Sequence, residues 1–589
     1  MHYRSDIDGL RALAVFGVIL FHAGTPLITG GFLGVDVFLV ISGFLITRIL
    51  MDNAEKNKLS FLDFYSRRFR RIYPALLTMI TIVSIVNLFI MVPYDLKNFG
   101  QSIVASIFSA NNILLYLTSG YWSTSAEFKP LYHTWTLAVE EQYYIVIPFL
   151  IYFAYKIKPK NTSSFLFYTL VLIFIASFSF CYLYQDNREF IFLMLFSRAW
   201  ELLAGAIAAI IYKKIDTNNN YLSMSGFLLI LLSYFYVDKN SFHPGLVTLL
   251  PVVGTALIVL FNKSHENFLF KLLSFKPIVF LGLISYSLYL WHQPVFAGIR
   301  LVSEEHPQTL YFLIAILPII LISYLSWKFI EKPFRNNAII SERKSISILV
   351  IWSAVLVFYG LILHKSYGLQ EYFKKFSYEG NPQAYVDQGY KYTYRESGRI
   401  LVLGNSFGRD IINALNTLGV NDIKYYPITC DTGEVFKNND ALNTNIKHAD
   451  VVIVAELWAA PDQNYKNQLA SLNNCFSELK KLNSHSYIIG TKNFGYNNNF
   501  VKLLSEDKIN DSLTVKPIHT YLEFDDLAKK MFGEQYISII NLIKNTDNEV
   551  PIFYQDKFVS YDTQHLTPAG ARLIAKKVIL ESPIKGYLK

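Results

Sequence analysis

Two groups of residues have the types and spacing to do chemistry. In Leu401-Val-Leu-Gly-Asn-Ser406-Phe-Gly a serine follows a hydrophobic strand and precedes a helix. A sharp turn there exposes the hydroxyl at the carboxyl end of a sheet, where open α/β folds bind ligands. The block is not a Gly-x-Ser-x-Gly elbow. Far downstream lies Tyr561-Asp562-Thr-Gln-His565-Leu-Thr-Pro568. Thr567 suits the cap of a helix whose first residue is Pro568. His565 then sits just before that helix, with Asp562 on the same loop. A carboxylate held against the imidazole fixes its tautomer and stabilises imidazolium, while the other ring nitrogen takes the serine proton. Taken singly, the first block also reads as a turn and the second as a surface loop.

The second group begins with Arg11 and His22, eleven residues apart. At about 100° per residue both fall on one helical face, roughly 16 Å apart along the axis. A cation at the cytoplasmic mouth with a titratable ring deeper suits a long anionic ligand whose reactive end reaches His22. The same spacing also fits an arginine reaching the headgroups and a structural histidine, and spacing alone leaves both readings open. Tyr65-Ser-Arg67-Arg68-Phe-Arg70-Arg71-Ile-Tyr-Pro74 adds four guanidinium groups at a helix entrance. Arginine grips phosphate in a bidentate fork, although ordinary positive loop charge would also give such a cluster. Asp36, His133, Glu140, Glu141, Arg198, Glu201, His292 and Glu331 lie in or beside apolar runs. Ionisable groups there mark function by default, in an enzyme or in a carrier.

The elements that must position these groups follow from composition. The chain has 589 residues, a net charge of +9 and 52% apolar residues, with a mean hydropathy of +0.29. Charged residues make up 17%, below the roughly 25% usual for soluble proteins. A wholly soluble enzyme, a disordered chain and a collagen-like fibre are excluded. Three cysteines cannot build a disulfide framework. Apolar runs of spanning length fall near 8–28, 31–50, 73–93, 133–155, 164–184, 190–212, 221–237, 244–261, 278–300, 309–329 and 346–364. A weaker run near 99–117, interrupted by Asn111 and Asn112, reads as a re-entrant or interfacial helix. Lysine and arginine crowd the loops after every even-numbered run, for example Lys156, Lys158 and Lys160. Positive loops stay inside. The N-terminus is therefore expected in the cytoplasm, and everything after about 365 outside. The same charge placement argues against nucleic acid as a partner.

Residues 366–398 are polar and read as a linker. Beyond them, apolar strands near 399–404, 451–455 and 487–490 alternate with helices near 408–418, 465–482 and 568–581. This pattern predicts a parallel α/β sheet. Cys181 reads as helix packing. Cys430 and Cys475 are expected to be free thiols, although an oxidising compartment would allow them to pair.

Longer motifs now show a resemblance. Tyr3-Arg-Ser-Asp-Ile-Asp-Gly-Leu-Arg-Ala-Leu-Ala14, Phe21-His22 and Gly31 to Thr47 resemble the opening of the membrane-bound acyltransferase-3 family. Tyr65 to Pro74 is similar to its basic loop. Pro130 to Tyr144, Arg198-Ala-Trp-Glu201, Ser285 to Pro294 and Trp327 to Arg335 are similar to its later motifs. The resemblance implies that Arg11 with His22, and Arg68 with Arg71, are essential. It also implies an acyl group taken from cytoplasmic acyl-coenzyme A and passed across the membrane. The Ser406 and Asp562–His565 blocks together resemble the SGNH hydrolases, with Asn405 where those usually carry Asp. That resemblance makes Gly433 and Asn493 candidate oxyanion donors beside the Ser406 amide.

The expected organisation is an acyltransferase membrane domain over 1–335, a further span over 336–365, a linker over 366–398 and an SGNH-like α/β domain over 399–589. The expected catalytic residues are His22, Ser406, Asp562, His565 and Asn493, with Arg11, Arg68 and Arg71 on the acyl donor and no metal. Fusions of these two families are similar to O-acetyltransferases of bacterial surface polysaccharides. Acetyl-coenzyme A is the expected donor, lipopolysaccharide O-antigen the first acceptor, and peptidoglycan or an exopolysaccharide the second. The bacterial inner membrane is the expected location. An exported esterase with a membrane anchor and a small-molecule or glycan carrier are the rivals.

Overall fold

The computed structural model describes the chain apart from residues 1–2, 119–125, 159–160, 216, 377–378, 380–384, 386–387, 431–432, 438, 459–464 and 589. It falls into two compact units. One comprises Met1–Leu88, Asn98–Arg300 and Pro307–Lys365, and the other Phe89–Lys97, Leu301–His306 and Ser366–Lys589.

The first unit is helical. Among the described residues seven helices are long and apolar enough to cross a membrane, or eight if the bent pair Lys276–Leu283 and Ser285–Val302 is one span. Asn220–Tyr236, Leu246–Phe261 and the charged helix Ser5–His22 account for the remaining expected runs. The protein is thus a multi-pass membrane protein. The first helix is shorter than its apolar run, because the chain turns at Ala23 and Gly24. His22 is therefore its last residue and not a mid-helix group. The weak run near 99–117 is broken into Pro93–Ile107 and Asn111–Thr118. Buried Asn111 donates to the Leu131 carbonyl at 2.9 Å and to Thr134 at 2.8 Å, so the polar interruption is used for packing.

Helices Gly34–Glu55 and Leu195–Lys214 meet through glycine. A Cβ on Gly43 would run into the Leu202 carbonyl, and one on Gly205 into the Val40 carbonyl. Small residues let membrane helices approach at backbone distance where no hydrophobic effect drives them together.

The second unit carries a five-stranded sheet. Its order is Ile423–Tyr426, Ile400–Leu403, Val451–Ala455, Ser486–Ile489 and Tyr536–Ile537, every neighbour parallel. Helices Ser406–Thr417, Asp440–His448, Tyr465–Leu482 and His519–Phe532 connect or flank the strands. The order reverses between Ile400–Leu403 and Val451–Ala455, which opens a crevice at their carboxyl ends. Cys430 and Cys475 form a disulfide, with Cα atoms 5.6 Å apart. The expectation of free thiols is corrected: folding brings buried Cys475 of helix Tyr465–Leu482 beside the loop after the second strand.

Candidate active site

Ser406 opens its helix directly after the first strand and a two-residue turn. Gly404 has φ +149°, and a Cβ there would collide with the Ala455 carbonyl. Only glycine lets the chain turn so close to the neighbouring strand. Asn405 caps the helix, its side-chain oxygen accepting the Phe407 amide at 3.1 Å. An aspartate would accept the same bond, so asparagine at this place keeps the turn. Tyr425 donates its hydroxyl to the Asn405 carbonyl at 2.7 Å.

On the far loop, Thr567 caps the helix that begins at Pro568 and accepts the Gly570 amide at 3.1 Å. The loop carries His565 to Ser406, with Nε2 2.9 Å from Oγ. His565 Nδ1 donates to Asp562 Oδ2 at 2.6 Å. The other Asp562 oxygen accepts the backbone amides of His565 at 2.7 Å and Gln564 at 3.0 Å. Burial alone would raise the Asp562 carboxyl, but His565 and those two amides outweigh it and hold it below the usual range. Ser406, His565 and Asp562 are thus one hydrogen-bond chain, with serine and histidine both buried.

Asn493 follows the fourth strand. Its side-chain oxygen accepts the amides of Ile518 at 2.9 Å and Gly495 at 3.3 Å. Its amide nitrogen is buried with no acceptor among the described residues. The next amide, of Phe494, donates to the Thr563 carbonyl at 2.8 Å and ties this loop to the histidine loop. Ser406 is the first helical residue, so its amide is among those without an intrahelical acceptor. Gly433 opens the short turn Gly433–Phe436, beside residues outside those described.

Buried Lys492 and Asp410 were not singled out from sequence. Lys492 Nζ is 3.0 Å from Asp410 Oδ2 and 3.0 Å from the centre of the Phe407 ring. Burial pulls Lys492 down to about 8. The one available signal was that Asp410 lies one helical turn after Ser406.

In the helical unit, Arg11, Arg68 and Arg71 line one cavity of about 230 Å³, with Arg335, Glu140 and Glu331. All four arginines of the basic motif lie on helix Phe61–Ile90. Arg68 and Arg71, three apart, share the face toward the cavity. Arg70 turns away and donates to the Phe334 carbonyl at 3.0 Å, and Arg67 is exposed. Arg11 has Asp8 at 3.4 Å, whereas no carboxylate stands at ion-pair distance from Arg68 or Arg71 among the described residues. Two guanidinium groups facing an open cavity without an acidic partner fit an anionic ligand. Glu331 lies in a π-helical turn and accepts the Ser287 hydroxyl at 2.5 Å.

His22 is not among the residues lining that cavity. Its ring instead meets that of His292 edge to edge, with Nδ1 3.1 Å from His292 Nε2. His133 is edge-on to His292, 5.5 Å between ring centres. Asp36, Arg198 and Glu201 form a separate buried cluster: Arg198 Nη1 is 3.2 Å from Asp36, 2.9 Å from Glu201 and donates to His243 Nε2 at 2.9 Å. His243 lies in the loop between two apolar runs, so its sequence position does not mark it as an intramembrane group.

A membrane unit with a basic cavity, joined to an α/β unit with a serine–histidine–aspartate chain, defines a multi-span protein equipped for group transfer. The acyltransferase domain model Acyl_transf_3 matches residues 4–328, and the chain belongs to the acyltransferase-3 family. It is 33% identical over 353 residues to "O-acetyltransferase OatA" of Staphylococcus aureus strain NCTC 8325 / PS 47, covering 57% of this chain and 58% of that protein. It is 32% identical over 355 residues to "Putative O-acetyltransferase SAS0844" of strain MSSA476, covering 58% of each. The chain thus spans little more than half the length of these relatives. No solved structure matches.

Proposed function

We propose that this protein moves an acetyl group from cytoplasmic acetyl-coenzyme A across the bacterial inner membrane onto a hydroxyl of a cell-surface polysaccharide. The observation that carries this is the Ser406–His565–Asp562 chain, at 2.9 and 2.6 Å, in a protein whose other unit is an acyltransferase. The relatives' names, O-acetyltransferases, support the acetyl group and an oxygen acceptor. Arg68, Arg71, Arg11 and Arg335 hold the phosphates of the donor in the cavity, and His22 serves the thioester end. Outside, His565 takes the Ser406 proton as the hydroxyl accepts the acyl group, directly or through an intermediate, and gives that proton to the group that departs. Neutral again, His565 deprotonates a sugar hydroxyl that attacks the ester, and the proton returns to Ser406 Oγ as the acyl group leaves it. Splitting one difficult transfer into two lowers each barrier.

The α/β unit works as an SGNH-type domain on the periplasmic side, and the N-terminus is cytoplasmic. The sheet order and the triad support the first assignment, and the loop charges support the second. The domain limits remain 1–335, 336–365, 366–398 and 399–589. Lipopolysaccharide O-antigen is the first acceptor, ahead of peptidoglycan and exopolysaccharide.

The test follows label from acetyl-coenzyme A into surface glycan in membranes, with mass spectrometry of glycans from cells with and without the gene. Label should reach the glycan and stop doing so in Ser406→Ala and in Arg68→Ala. Ester hydrolysis without label transfer would favour an exported esterase. Unchanged acetylation in both variants would favour a carrier.

A further inference from the structure

The N-terminal helix ends at His22, and its ring meets His292 of helix Ser285–Val302 edge to edge, with the two planes within 17° of parallel and the ring centres 5.2 Å apart. His292 Nδ1 lies 2.6 Å from the Tyr289 carbonyl oxygen. A carbonyl only accepts, so Nδ1 carries a proton. In a neutral ring the other nitrogen, Nε2, is then an acceptor. That nitrogen is 3.1 Å from His22 Nδ1, so His22 donates from Nδ1. His22 Nε2 is left with a free lone pair.

We propose that His292 is a positioning residue that holds His22 in the Nδ1–H tautomer and so presents the Nε2 lone pair as the base at the thioester end of the acyl donor. This rests on the reading of His22 given above. Among the described residues, the other charged or titratable groups facing the pair are Tyr289, its ring 5.3 Å from that of His292, His133, edge-on to His292, and Arg300, which donates to the His22 carbonyl at 2.9 Å. No carboxylate is at ion-pair distance from either imidazole among the described residues. The arrangement therefore differs from that of His565, whose Nδ1 proton goes to Asp562. A proton entering at His22 Nε2 leaves an imidazolium whose Nδ1 proton can pass to His292 Nε2. One proton enters, one is relayed, and the pair gains a single positive charge.

The tautomer can be read on the intact wild-type protein from ¹⁵N-histidine spectra, assigned with His22→Gln. A protonated Nδ1 and an unprotonated Nε2 on His22 are expected, and the reverse overturns the proposal whatever the variants do. In transfer assays, His292→Phe should lower kcat by about 100-fold or more while KM for acetyl-coenzyme A stays within about twofold. His292→Gln places an amide oxygen near the Nε2 position and should recover to within about 10-fold of wild type, with a shifted acid limb in its pH profile. Equal losses in the two variants, or none, at matched membrane levels overturn the positioning role. Normal transfer by His22→Ala would instead bring down the functional reading, and the spectra would still decide the tautomer.

Discussion

Asp410 and Lys492 face each other at 3.0 Å inside the α/β unit, and the same Asp410 oxygen accepts the Leu566 amide, also at 3.0 Å. Asp410 belongs to the helix that carries Ser406, Lys492 to the loop that carries Asn493, and Leu566 to the loop that carries His565. One buried ion pair thus holds together the three segments that supply the serine site.

Removing one partner of a buried pair leaves the other uncompensated, at a cost of about 3–5 kcal/mol. Asp410→Ala should destabilise the protein by about that much and lower transfer. The double variant Asp410→Leu, Lys492→Met should regain most of the stability. Thermal unfolding of the purified full-length chain measures both, and a double variant no better than the single one would show that the pair's charge is not what matters.

Ser406→Ala should lower transfer to glycan by about 10⁴-fold or more with unchanged membrane levels. Asp562→Asn should cost about 10⁴-fold, because an amide facing His565 Nδ1 favours the wrong tautomer. Both are read from label incorporation.

Asp562 is held below its usual range in the folded protein. A depressed carboxyl adds stability above its unfolded value of about 3.9, and that contribution is lost as pH falls through the folded value. The stability gap between wild type and Asp562→Asn should therefore be full at neutral pH and close on acidification below about pH 4. Midpoints of denaturant unfolding across that range test the sign, and a gap widening toward low pH would contradict it.

Arg68→Lys keeps the charge but loses the bidentate fork. It should raise KM for acetyl-coenzyme A by about 10-fold, the equivalent of about 1.4 kcal/mol, with little change in kcat. Arg67→Lys, altering an exposed side chain on another face of the same helix, should change neither.

The Cys430–Cys475 bridge has a sequence separation of 45 residues, and chain entropy assigns such a loop about 4 kcal/mol. Cys430→Ser should lower stability by up to that amount. In intact cells both thiols should resist alkylation until a reductant is added.

The serine, the histidine and its aspartate were legible because each block carries its own turn or capping chemistry, so local sequence already says where the side chain points. The eleven apolar runs were legible because a bilayer demands length and composition. What escaped depends on distant partners. His22 and Arg11 do share a helix, but the partner of His22 lies 270 residues away, and no local pattern announces it. The disulfide was missed for the same reason. The strand Ile423–Tyr426 escaped because Lys424 breaks the apolar run. In the fold its ammonium donates to the Thr393 carbonyl at 2.8 Å. Tyr536–Ile537 is simply too short to show a period. The apolar run begins only near 73, so the basic motif reads as a helix entrance, whereas the helix starts at Phe61, and helical phase then decides which arginines reach the cavity.

The glycine contact at Gly43 and Gly205 has a kinematic consequence. Where side chains interdigitate, helices can ratchet by exchanging rotamers. Here backbone rests on backbone, and neither helix can roll or slide on the other without first being prised away. The two act as a fixed strut, so any widening of the helical unit must be borne by helices not pinned in this way.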